Sequence, residues 1–296
     1  MRPLRSLLFS PGIRPGMMEK APRSGADALI FDLEDSVPRD RRKEARRHVG
    51  EALRRPGNPP VFVRVNHPST GEAEADLEAL CGGKAEGVIL PKAERPEEVL
   101  LLDRLLASLE KRLGLEPDSL TLIPLVESCA GLRFCYEMAA AARRVGSLAF
   151  AGGEEGDFMV DLGGRWTPEG EAFLYPRSKL VCDARAAGLD WPLDGVFMNL
   201  KDEEALRREC RLVRNLGYLG KMAIHPCQIA VIHEVFTPSA AEVGYARGLV
   251  AAFREAEAGG RGAVQFQGMM VDYANVKRAE RILALADGLF QPGKGR

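Results

Sequence analysis

The sequence predicts an α/β protein built as a TIM (β/α)8 barrel with a C-terminal helical extension that can act as a lid. Eight short apolar runs of strand length alternate with eight stretches of helical periodicity. Charged residues sit at the ends of those runs: Asp32, Glu34 and Asp35 in ALIFDLED, Arg64 in VFVRVN, Lys92 in GVILPK, Glu127 in TLIPLVES and His225 in GKMAIH, with Asp157 just after LAFAGGEEG. No G-x-G-x-x-G opens a helix after a strand, which disfavours an open doubly wound sheet.

The elements follow in order. LRSLLF has a basic head, but Pro11 and Gly12 cut its apolar stretch short, so it reads as a first strand rather than a signal peptide. A helical pattern over 17–24 follows. ALIFDL precedes a helix over 39–54, whose RDRRKEARR interleaves acids and reads as a solvated face. VFVRVN leads to 72–80, GVILPK to 97–113, TLIPLV to 130–144 and SLAFAG to 171–187. GVFMNL leads to 203–216 and KMAIHP to 228–235. Beyond them lie a helix over 239–258 with Ser239 as its N-cap, the glycine-rich GGRGAVQFQGMMVD, and a last helix over 273–289. The expected domains are a barrel over 1–236 and a helical arm and lid over 237–296, with the glycine-rich stretch giving the arm freedom.

Composition excludes several classes. The 296 residues are 46% hydrophobic, with 41 basic and 42 acidic side chains, an ordinary globular balance. A net charge of −1 offers no electrostatic case for nucleic acid or an anionic membrane. No apolar run approaches the roughly 20 residues of a membrane span. The six cysteines lack zinc spacing and read as buried structural thiols of a reduced, cytoplasmic protein.

In a parallel barrel the C-terminal strand ends converge on one mouth, so these distant charges would share a site. Glu127 and Asp157 are the leading ligands for a hard cation such as Mg2+, which takes carboxylates plus water and substrate oxygens. The bland alternative has Glu127 capping a helix at Ser128 or pairing with a lysine. Asp161 is a weaker candidate, inside a turn. Arg64 would pair with Glu34 or Asp35 and offer its remaining donors to a carboxylate or enolate oxygen. A purely structural ion pair competes with that reading. Arg14 and Lys20 flank the first helix and suit phosphate, although surface solvation is the default. His48, His67 and His233 read as structural, and His225, at the eighth strand end, as a hydrogen-bonding support. Asp272 reads as an N-cap.

The motifs RSLLFSPGIRPGMMEKA, DALIFDLEDSV, VFVRVN, GVILPKAE, LIPLVES, GDFMVDLG, YPRSKLV, LGYLGKMAIHPCQI and FTPSAAEV occur in this order. Together they resemble the citrate lyase β-subunit-like branch of the HpcH/HpaI aldolase family, which includes malyl-CoA and citramalyl-CoA lyases. The resemblance implies a Mg2+-dependent carbon–carbon lyase that cleaves a 3-hydroxyacyl-CoA to acetyl-CoA and a 2-keto acid. It implies Mg2+ on Glu127 and Asp157, and Arg64 on the keto-acid or acyl oxygens. It places CoA near Phe9, Arg14 and Lys20. Beside these, Glu34 and Asp35 are counted with Arg64 as catalytic candidates, and His225 with the CoA-binding ones. It also implies a trimer or hexamer in which Asp272 completes a neighbour's active site. Two departures stand out: Gly156 interrupts the acidic pair before Asp157, leaving Glu155 without an assigned role, and Ala274 occupies a position where the family usually has proline. The alternatives are a citrate lyase β-subunit acting on a citryl-thioester of an acyl carrier protein, and a non-catalytic CoA-binding subunit or regulator.

Overall fold

The computed structural model describes residues 2–81 and 83–290; residues 1, 82 and 291–296 of the expected domains lie outside them. Strands β1 (Ser6–Pro11), β2 (Ala28–Asp32), β3 (Val61–Arg64), β4 (Gly87–Leu90), β5 (Thr121–Val126), β6 (Ala149–Phe150), β7 (Leu193–Asp194) and β8 (Gly220–Ala223) form a closed parallel barrel in sequence order. Leu7 pairs with Met222 to close the ring between β1 and β8. Around it run α1 (Pro15–Lys20), α2 (Arg42–Leu53), α3 (Ala73–Glu78), α4 (Pro96–Leu113), α5 (Cys129–Arg133), α6 (Cys135–Ala140), α7 (Asp157–Leu162), α8 (Glu171–Ala186), α9 (Glu203–Leu216) and α10 (Ile229–Phe236). The chain forms two compact units, Pro3–Val235 and the segment from Phe236 onward.

Side chains alternate across a strand, so every second residue faces the barrel interior. Leu7, Ile30, Phe62, Ile89, Leu125, Leu193 and Met222 fill that interior. Two residues further along their strands stand Phe9, Asp32, Arg64 and Glu127. The period that packs the core therefore delivers the charged residues to its mouth.

Three expected elements differ. The helix over 130–144 breaks at Phe134, which leaves helical geometry at φ −103°, ψ 18° and receives the Arg95 and Arg133 guanidinium groups on its ring at 5.1 and 5.4 Å. The seventh strand is Leu193–Asp194, ending just before the run GVFMNL, whose apolar residues line cavities instead. The thiols are also less buried than expected: Cys135 and Cys210 are buried, but Cys129, Cys182 and Cys227 are exposed, and all six are free. No described helix is long and apolar enough to cross a membrane.

Between the barrel and its helices lies a buried charge cluster. Arg177 of α8 grips Asp194 of β7 through Nε and Nη2 at 2.9 and 3.2 Å. Lys221 of β8 donates 2.5 Å to Asp194 and 2.7 Å to Glu209 of α9. Arg177, Asp194 and Lys221 are fully buried. Two cations and two anions cancel, so each charge depends on the others. Asp194→Ala is expected to cost on the order of 3–5 kcal/mol, because it strands buried cations. Urea unfolding measures it; a loss below about 1 kcal/mol would mean that the remaining groups rearrange freely.

The second unit contains α11 (Ala240–Ala258), a hairpin of β9 (Val264–Phe266) and β10 (Met269–Val271), and α12 (Tyr273–Phe290). Ser239 caps α11 as expected, accepting from Glu242 N at 3.1 Å while Glu242 accepts from Ser239 N at 2.8 Å. The glycine-rich stretch is not a plain linker. Gln267 and Gly268 both take positive φ, 45° and 81°, the signature of a two-residue hairpin turn. Leu249, Val250, Phe253, Val271 and Ala279 form this unit's own core.

Candidate active site

Arg64, at the end of β3, organises the mouth. Its Nε and Nη2 donate to the two carboxylate oxygens of Asp32 at 2.7 and 2.8 Å. Glu34 and Asp35, the expected partners, lie further off at 3.3 and 3.6 Å from Nη1. The chief partner is thus Asp32, because its register position on β2 lies directly beside Arg64. Asp32 is also held by the backbone amides of Glu34 and Ser36, both at 3.1 Å. Burial alone would raise the Asp32 pKa, but the Arg64 charge and hydrogen bonds leave it lowered. Burial opposes the Arg64 charge in the same way, yet the surrounding carboxylates raise its pKa overall. The guanidinium rests over the Phe9 ring, 4.9 Å from the centroid.

Lys92 is a second organiser, unassigned in the sequence reading. It follows β4 with φ 49°, a left-handed conformation that is uncommon for a residue with a side chain. That backbone aims its N–H at Glu127 Oε1, 2.8 Å away. Its Nζ contacts Glu34, reaches Asp35 at 2.8 Å and lies 3.5 Å from Asp157. One residue therefore links both acidic loops and both metal-ligand candidates.

Glu127 does not cap a helix. Ser128 caps α5 by accepting from Gly131 N at 3.0 Å, and Asp161, a helical residue, accepts from Cys129 N at 2.7 Å. Glu127 instead faces the mouth with 6% exposure. Burial pushes its pKa up to about 7, against the opposing pull of Arg64 and the Lys92 amide. The nearby charges of Arg64 and Lys92 do not offset the cost of drying this carboxylate. Glu34 is also raised, first by burial, whereas Asp35 is lowered by its hydrogen bond to Lys92 in spite of burial.

Phe9, Asp35, Arg64, Glu127, Glu155 and Asp157 line one cavity of about 390 Å3. Glu34 joins it through Arg64 and Lys92. Arg14 and Lys20 are exposed on and beside α1, and they are not among its lining residues. His225 lies apart as well: its Nδ1 accepts from Cys227 N at 3.2 Å, capping the short turn over Pro226–Gln228. Asp272, in the second unit, accepts from Ala274 N at 2.9 Å and Asn275 N at 3.3 Å, the expected N-cap.

Among the described residues no cluster of three or more His, Cys, Asp and Glu side chains could hold a metal by itself. The donors at the mouth are hard carboxylate oxygens on Glu127 and Asp157, in a cavity open to a ligand. That set fits Mg2+, which keeps waters and substrate oxygens, better than a softer metal.

A family model for HpcH/HpaI aldolase/citrate lyase matches residues 5–226. The chain belongs to the HpcH/HpaI aldolase/citrate lyase family. Citramalyl-CoA lyase, mitochondrial, of Rattus norvegicus is 36% identical over 97% of the chain and 87% of that protein. A (3S)-malyl-CoA thioesterase of Cereibacter sphaeroides is 37% identical over 97% of the chain and 96% of that protein. The crystal structure of protein CitE from Mycobacterium tuberculosis, in complex with magnesium, acetoacetate and coenzyme A, has a TM-score of 0.76 and 31% identity, covering 96% and 98% of the two chains. This family of lyases and aldolases shares the eight-stranded barrel found here.

Proposed function

We propose that the protein is a Mg2+-dependent carbon–carbon lyase that cleaves a 3-hydroxyacyl-CoA, such as malyl-CoA or citramalyl-CoA, into acetyl-CoA and glyoxylate or pyruvate. The observation that carries this reading is the mouth itself: a buried Glu127 beside Asp157 and a fixed Arg64, all in one cavity. The family and the CoA-ester relatives support it.

Glu127 and Asp157 would hold the cation, and Mg2+ bound there would supply Lewis acidity to the reaction. Arg64, kept rigid by Asp32, Glu34 and Phe9, lines the cavity and presents its charge to the oxygens that gain charge, the preorganised electrostatics that dominate many enzymes. Lys92 fixes Glu34 and Asp35 beside Asp157. The bond between the hydroxyl-bearing carbon and the thioester α-carbon breaks. The hydroxyl loses its proton to become the ketone, and the α-carbon gains one. Asp272, lent by a second copy in a trimer or hexamer, exchanges the proton at that α-carbon. Arg14, Lys20 and His225 serve the CoA end, with Phe9 at its reacting tip. Six free thiols suit a reducing compartment, and we place the enzyme in the cytoplasm.

The direct test incubates the purified protein with Mg2+ and malyl-, citramalyl- or citryl-CoA and assays the keto acid released. Release of free CoA without a keto acid would replace the lyase reading with thioester hydrolysis. Arg64→Lys keeps the charge but loses the two-pronged grip on Asp32. It is expected to lower kcat on the order of 10²-fold, comparable to losing one oxyanion donor. An unchanged kcat would make Arg64 a structural ion pair. Arg14→Ala with Lys20→Ala is expected to raise KM for the thioester with little change in kcat, since these groups hold a remote, non-reacting part of the substrate. An equal KM would move the nucleotide elsewhere.

A further inference from the structure

The mouth cavity adjoins a second one of about 270 Å3, lined by Trp166, Phe197, Asn199 and Arg208 among others. Val196 and Met198 line both. At Gly195 the backbone beside them leaves no room for a further side chain. A Cβ on Gly195 would stand 2.6 Å from the Phe150 carbonyl oxygen and 2.9 Å from the Gly152 nitrogen. Facing it, a Cβ on Gly153 would meet Met198 Cγ at 3.8 Å. Val196 and Met198 are thus the side chains that the two cavities share, and Met198 is the adjustable one. Methionine is unbranched, with three rotatable side-chain bonds, and this one is 52% exposed and so has space to swing.

We propose that Met198 sets the length of 2-keto acid that the site accepts or releases, and that the second cavity takes the tail of keto acids longer than pyruvate. The inference rests on the lyase reading, because it assumes that a keto acid occupies the mouth. Trp166, Phe197 and Met198 give the second cavity apolar surface for methylene groups. On its lining the two acids Glu154 and Asp202 outnumber the one cation Arg208, while Glu209 is already paired with Arg177 and Lys221, so the net charge opposes a second negative charge there. The chemical class is thus a 2-keto acid with an unbranched, uncharged tail, and not a dicarboxylate. Closed, the methionine holds the site to glyoxylate or pyruvate; swung aside, it joins the cavities.

The test titrates full-length protein, with Mg2+ present, with pyruvate, 2-oxobutanoate, 2-oxohexanoate and 2-oxoglutarate by calorimetry. Wild type, Met198→Ala and Met198→Trp are compared. The readout is the affinity ratio of 2-oxohexanoate to pyruvate, which cancels any general weakening of the site. Met198→Ala is expected to raise that ratio on the order of 10-fold or more, the discrimination that one or two methylenes give in an apolar pocket. Met198→Trp is expected to lower it. The same ratio in all three proteins overturns the inference while leaving the lyase reading intact. Tighter binding of 2-oxoglutarate than 2-oxohexanoate by Met198→Ala overturns the assignment of an uncharged tail. A wild type that binds neither these acids nor glyoxylate, titrated alongside them, sinks the lyase reading, and the inference with it.

Discussion

Glu127→Gln is expected to abolish Mg2+-dependent turnover while leaving the barrel folded. The amide keeps the shape and can still accept the Lys92 N–H, but a neutral amide is a far poorer ligand for a hard dication. The substitution has a second, activity-free signature. Burial carries the Glu127 carboxyl from its ordinary 4.5 to about 7. Between those values the folded chain holds a proton that the unfolded chain has released. Without metal, wild-type stability therefore falls as pH rises from about 4.5 to about 7 and is flat above, a loss on the order of 3 kcal/mol. Glu127→Gln lacks that loss, so at pH 8 without metal it should resist urea better than wild type, and at pH 4.5 the two should converge. Mg2+ should close or reverse the gap at pH 8 by stabilising wild type alone. Full turnover in the variant, or a wild-type urea midpoint at pH 8 that Mg2+ leaves unchanged, would take Glu127 out of the metal site.

Asp272→Asn is expected to remove nearly all activity with little change in stability. Capping and catalysis make opposite predictions here. Asparagine caps a helix about as well as aspartate, so the bonds to Ala274 and Asn275 survive the change and a pure cap would leave activity intact. A proton carrier would not survive it. Mixing separately inactive Asp272→Asn and Glu127→Gln subunits is expected to restore part of the activity, since a hybrid interface can join an intact metal site to an intact arm. If mixed oligomers are seen by mass spectrometry and no activity returns, the shared site is refuted.

The barrel was legible in the sequence because its strands are buried on both faces and read as continuous apolar runs. Charges at the ends of such runs are expensive to bury and therefore conspicuous, which is how Arg64 and Glu127 stood out. The same signal misplaced the seventh strand. Val196, Phe197 and Met198 are apolar because they line cavities, and hydrophobicity records burial without recording hydrogen bonding. Asp32 and Lys92 were visible as run ends but not as organisers. The Asp32–Arg64 pair is set by register between neighbouring strands, and the reach of Lys92 depends on a left-handed backbone. Asp194 and Lys221 carried a signal that could have been used: two opposite charges at strand positions where only paired ions are tolerated. In the arm, glycine content suggested freedom where Gln267-Gly268 makes a hairpin turn.

Heating changes the balance of forces around Arg177, Asp194, Lys221 and Glu209. Water ordered about a charged group carries a strongly negative entropy, so ionic hydration becomes less favourable as temperature rises. The penalty for keeping these four ions dry shrinks accordingly, while the gain from apolar burial levels off. The sector that ties α8 and α9 to β7 and β8 thus gains on the rest of the barrel in a hot solution. β4, wholly apolar over Gly87–Leu90, carries no ion pair within the strand and would be among the first to part. Hydrogen exchange followed up a temperature ramp would show protection persisting longest at Leu193 and Lys221, so that thermal opening begins away from this sector.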